Sequence, residues 1–136
     1  MKEIKHQFMT FRNGVVADTL RKAGMPYGVI FGLQLPQLAE IARMLTPSAE
    51  LARRLFADRN VRESRLLAMW LFPSAELTET EAEEMAADMQ TREECDIFAF
   101  RLLRHEPYAG ALRERLKASC NPMQRYLAEA IARFND

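Results

Sequence analysis

The sequence predicts an all-α protein, an α-α superhelix of repeated helix pairs, and three observations carry that prediction. Glycine is scarce, at 5 of 136 residues. Apolar residues recur at intervals of three and four almost throughout, and nowhere alternate with polar ones as a half-buried strand requires. The chain also repeats itself: VRESRLLAMW at 61–70 aligns with TREECDIFAF at 91–100, an offset of 30. A second step of 30 carries Arg65 and Cys95 to Arg125, Leu67 and Ile97 to Leu127, and Trp70 and Phe100 to Ala130. One helix pair cannot bury its own apolar face, so repeated pairs stack into a short α-solenoid. Residues 1–136 read as a single domain of this kind, with 1–24 as an N-terminal helix packing on the repeats.

Taken in order, residues 2–22 form one amphipathic helix, with Ile4, Phe8, Phe11, Val15, Val16 and Leu20 available to its buried face. Gly24, Pro26 and Gly28 then interrupt it. Helical spacing resumes over 35–45, where Pro36 falls in the first turn and removes a donor that has no intrahelical acceptor there. Further helices are predicted at 48–57, 61–72, 78–89, 92–104, 108–118 and 122–134. Asp58, Pro73, Thr91, Pro107 and Pro122 lie at or near the breaks. Thr78 with Glu81 three residues later has the pattern of a capping box.

Composition narrows the function classes. Hydrophobic residues make up 49% and charged residues 28%, ordinary for a soluble globular protein. Lys+Arg and Asp+Glu balance at 19 each, so the whole chain has no basic excess to draw it to nucleic acid. Cys95 and Cys120 form no CxxC pattern and read as small buried residues of a reducing compartment. No charged-then-apolar leader begins the sequence and no run of about 18 apolar residues occurs, so a cytoplasmic protein off the membrane is expected. His6 and His105 have no ligand spacing around them, and neither a metal nor another cofactor is expected.

Charge is nevertheless segregated between alternate helices. If 59–72, 92–104 and 121–134 line the inner surface, they bring eight arginines against five acidic residues, a local +3. The alternate set 47–58, 74–91 and 105–118 sums to −5, and its stretch 74–91 holds Glu76, Glu79, Glu81, Glu83, Glu84 and Asp88 with no cation. The expectation is a basic concave surface carrying Arg59, Arg62, Arg65, Arg92, Arg101, Arg104 and Arg125, with an acidic back. The same acid run also reads simply as a solvated face.

The segments YGVIFGLQLPQLAEIAR (27–43), VRESRLLAMWLF (61–72), EECDIFAFRLL (93–103) and QRYLAEAIARF (124–134) together resemble the AlkD-type DNA alkylation-repair family. The resemblance covers roughly residues 27–134. It implies HEAT-like repeats whose concave basic face holds duplex DNA, and excision of positively charged N3- or N7-alkylated purines. Such a base is already a cationic leaving group and needs no general acid. One carboxylate and an electrostatically prepared surround are enough to stabilise the oxocarbenium-like sugar and place a water. By this resemblance the catalytic carboxylate is Asp96 and the groove arginine is Arg125. Arg92 stands where the family has a tryptophan, and a second family tryptophan falls beyond residue 136.

Read from the residues alone, Asp96 borders an apolar arc running through Cys95, Phe98, Leu102 and Leu103, so it faces either the groove or an Arg92 partner one turn away. Two readings of function follow. The first is a DNA-binding protein of the alkylation-repair type with weak or absent excision, because Arg92 repels a cationic base. The second is a HEAT-like protein-protein interaction module without glycosylase activity. Trp70 reads as a core residue at helical spacing.

Overall fold

The computed structural model describes residues 1–134. Among them lie nine α-helices, two single 3₁₀ turns and no strand beyond one isolated bridge. The chain divides into two compact units, one of Met1–Phe72 and one from Pro73 onward.

The 30-residue period survives in the helix boundaries. α4 (Ala49–Ala57), α6 (Glu79–Ala87) and α8 (Ala109–Lys117) are nine residues each and start 30 residues apart. α5 (Arg62–Leu71), α7 (Arg92–Arg101) and α9 (Pro122–Phe134) also start 30 apart. Burial keeps the same step. Ala52, Ala82 and Leu112 are wholly inaccessible in the first set, and Leu67, Ile97 and Leu127 are buried in the second. Side chains just outside the helices set several starts. Ser48 Oγ accepts from Leu51 N–H, Thr78 Oγ1 from Glu81 N–H and Thr91 Oγ1 from Glu94 N–H, each at 3.1 Å. These caps satisfy amides that have no carbonyl one turn earlier.

In the first unit α4 packs on α5 across the link 58–61, and α3 (Leu35–Arg43) packs on the same α5. The single N-terminal helix predicted over 2–22 is in fact two, α1 (Lys2–Phe11) and α2 (Gly14–Lys22). Asn13 makes the break. Its backbone is extended, its Oδ1 caps Val15 and Val16 N–H, and its own N–H leaves the helix to bond Phe31 O at 2.8 Å. The loop 23–34 is pinned on its other side as well. Val29 forms a parallel bridge with Val61, and Gly28 N–H donates to Asn60 Oδ1 at 2.9 Å.

Glu63, wholly buried, holds the end of this loop. Its Oε1 accepts from Phe31 N–H at 3.0 Å, and its Oε2 from Gly32 N–H at 3.0 Å and Leu33 N–H at 3.3 Å. Arg62 supplies the countercharge, with Nη1 2.7 Å from Glu63 Oε2 and 2.9 Å from Leu33 O. Gly32 has φ +83°, and a Cβ there would lie 2.2 Å from Asn13 O. Only glycine lets the loop run this close to the start of α2.

In the second unit α9 packs against both α7 and α8. Arg115 of α8 donates to Glu79 at 2.6 Å and to Glu83 at 3.2 Å, so part of the acid run is paired instead of simply solvated. Trp70, expected in the core, is only half-buried near the end of α5.

Candidate functional site

Arg92, Asp96, Phe100 and Arg104 follow one another at four-residue steps, so the first three form one stripe along α7. Opposite them α9 presents Tyr126, Arg133 and Phe134. The Tyr126 hydroxyl donates to Asp96 Oδ1 at 2.8 Å, and Arg133 Nη2 lies 3.4 Å from both that oxygen and the Tyr126 hydroxyl. The Arg92 guanidinium sits 4.8 Å from the Tyr126 ring centre, within cation–π range. Farther along, Phe100 meets Phe134 edge to face at 5.3 Å, and Arg104 stacks over Phe100 at 4.1 Å. Asp96 is therefore a half-exposed carboxylate inside an Arg–Tyr–Arg cluster. Arg92 engages Tyr126 across the interface, and Tyr126 in turn holds Asp96.

The partner of Asp96 comes from the repeat. Position 126 is position 96 advanced by 30, so equivalent residues of two second-set helices face each other. Arg133 is biased further towards its charged form, first by the Tyr126 hydrogen bond, against some desolvation, with the Asp96 and Glu129 carboxylates adding to it. Its guanidinium is fully positive at neutral pH in any case. Arg101 lies beside this stripe. Burial, and then repulsion from Arg104, lowers its pKa, though it too stays charged near neutrality.

Cys95 adjoins Asp96 on the interior side and is wholly buried, with Sγ 3.8 Å from Met123 O. Burial, then the charges of Glu94 and Asp96, pushes its thiol up to about 12. Cys120, expected to be buried, is exposed because it falls in the turn between α8 and α9. A disulfide-exchange reagent at pH 8 should therefore titrate one thiol per native chain and two after denaturation, since the thiolate is the reacting species. Rapid reaction of both thiols in the native protein would contradict this assignment.

Arg125 does not join Asp96. Consecutive residues of an α-helix are about 100° apart, and Arg125 precedes Tyr126 by one. It faces α8, its Nη1 donating to Ser119 O at 2.9 Å. There it lines a surface groove of about 490 Å³ with Arg113, Lys117, Ala128, Glu129 and Ala132.

Arg62 and Arg65, expected on an open basic surface, are interior residues of the first unit. Arg62 belongs to the Glu63 cluster. Arg65 stacks at 3.7 Å on the Phe56 ring and donates to Phe56 O at 2.8 Å. Buried cations are kept where such partners exist, and these two face protein groups instead of solvent. Counted by unit, the charge divides differently from the inner and outer split. Met1–Phe72 has 11 Lys and Arg against 6 Asp and Glu, net +5, and the remainder has 8 against 13, net −5.

Fold and site together define a class: an all-α protein of 30-residue helix pairs with a carboxylate–tyrosine–arginine cluster between two repeats. No family model matches the chain, and neither a curated protein nor a solved structure matches it. None of the described helices is long and apolar enough to cross a membrane. Among the described residues no group of three or more His, Cys, Asp or Glu is placed to hold a metal ion.

Proposed function

We propose that this chain binds duplex DNA through its phosphates, as the alkylation-repair resemblance implies, and does not excise bases efficiently. The charge of the first unit is the observation that carries the binding. Of its eleven cations only Arg62 and Arg65 are buried, so nine remain towards solvent against five acidic side chains. A cationic surface of this kind gains affinity by releasing counterions from the duplex. The Asp96 cluster supports the second half of the reading. Excision needs a carboxylate that can stabilise developing positive charge on the sugar, with an aromatic face for the base. Here Tyr126 and Arg133 already hold that carboxylate, and Arg92 lies against the Tyr126 ring.

The expected results are duplex binding whose log K falls linearly with log salt, and release of 7-methylguanine no faster than spontaneous depurination. Asp96→Asn should leave that release unchanged. Excision well above the spontaneous rate and abolished by Asp96→Asn would overturn the non-excising part. Absence of salt-dependent duplex binding would overturn the binding itself.

A second reading, a HEAT-like interaction module, is favoured by one observation. The first unit exposes several large apolar side chains, among them Val15 at 77%, Met44 at 64% and Met9 at 46%. Such side chains fit a protein partner better than a phosphate backbone.

A further inference from the structure

The α8–α9 groove has cations on both walls and a small-residue floor. Arg113 and Lys117 stand one turn apart on α8, and Arg125 reaches across from α9. Ala128 and Ala132, also one turn apart, keep the α9 wall low. Ser119 O fixes one guanidinium nitrogen of Arg125, which positions the rest of that planar fork without neutralising it. Two carboxylates lie nearby. Glu129 lines the groove, and Glu114 holds Lys117 at 3.2 Å with both side chains about 60% exposed. An ion pair that open contributes little and yields readily to a stronger anion. Three cations against one lining carboxylate leave the groove electropositive within a unit whose total is −5.

We propose that this groove is a phosphate-binding site, with Arg113, Lys117 and Arg125 as its ligands. Arg suits the geometry because its fork matches two phosphate oxygens, while Lys adds a point charge. The site includes two residues of α8, a helix that the sequence pattern assigns to the acidic back. It rests on the DNA reading only for the source of the phosphate, either one phosphodiester of a duplex or a free anion.

The test uses the full chain and two probes, inorganic phosphate and a short duplex, each titrated while backbone amide shifts are followed by NMR. Both should move the amides of 113–125. An Arg113→Gln/Lys117→Gln variant with an unaltered melting curve should lose the phosphate response. Its duplex binding should show a log K against log salt slope flatter by about 0.9, the share of one phosphate. Arg125→Gln provides a second variant from the opposite wall. Phosphate shifts at the groove without any duplex binding would uphold the site and refute the DNA reading. Duplex binding with an unchanged slope in the variants would leave the DNA reading standing and exclude the duplex as this groove's phosphate source; if the phosphate response also persisted in the variants, the site would be refuted. No groove shifts with either probe would refute the site outright.

Discussion

Replacing Glu63 by alanine is expected to lower the stability of the first unit by about 3–5 kcal/mol, the cost of stranding one partner of a buried ion pair. The carboxylate is wholly inaccessible and accepts from three consecutive backbone amides, Phe31, Gly32 and Leu33, as well as from Arg62. Truncation removes the carboxylate paired with the buried Arg62 charge and leaves three amide donors without that acceptor. Whole domains are stable by roughly 5–15 kcal/mol, so this one side chain accounts for a large part of what holds the loop to α5. Glu63→Gln keeps the shape and one carbonyl oxygen but turns an amino group towards the donors. A smaller loss of about 1–3 kcal/mol is expected there. Urea unfolding followed by Trp70 fluorescence measures both. An alanine variant within 1 kcal/mol of wild type would show that the cradle contributes little.

Gly32→Ala should be nearly as damaging, at roughly 2–5 kcal/mol. About 1–2 kcal/mol comes from forcing an L side chain into the left-handed region. The rest is the strain of overpacking. The new Cβ would sit 2.2 Å from Asn13 O and 2.9 Å from Ala17 N. Those two atoms are bonded to each other in the first turn of α2, so neither can move aside without opening the helix start. Gly110 is the control. It lies within α8 with nothing near its missing Cβ, and alanine there should be neutral or stabilising by about 0.4–1 kcal/mol. Melting curves of the two variants moving in the same direction would contradict this account.

The helical repeat was legible because apolar spacing and the 30-residue offset are local properties of the chain. Helix starts moved by one residue where a cap stands outside its helix, as Ser48 and Thr78 do. The break at Asn13 was not legible. Every residue from 2 to 22 tolerates a helix, and what ends α1 is a bond to Phe31 eighteen residues later. Buried Arg62 and Arg65 were hidden for the same reason. An arginine on an amphipathic helix reads as solvent-facing unless the carbonyls and carboxylate that receive it are known. At the candidate site, Asp96 could be placed on the edge of an apolar arc, and the repeat offset pointed to position 126. A tyrosine set among leucine and alanine does not by itself announce that its hydroxyl meets a carboxylate. Arg113 and Lys117 were missed because the summed charge of alternate helices hid a local basic groove in an acidic set.

The opposite charges of the two units cancel in the sum for the intact chain and reappear in the separated parts. Proteolysis near Pro73 would convert a molecule of zero formal charge into one fragment of +5 and another of −5. At pH 7 the first would be retained by a sulfonate resin and the second by a quaternary amine. Chromatography of the separated fragments thus distinguishes a cut near Pro73 from one deep inside a unit. A cleavage deeper inside the first unit divides the charge differently; after Arg43, for example, the fragments carry +3 and −3.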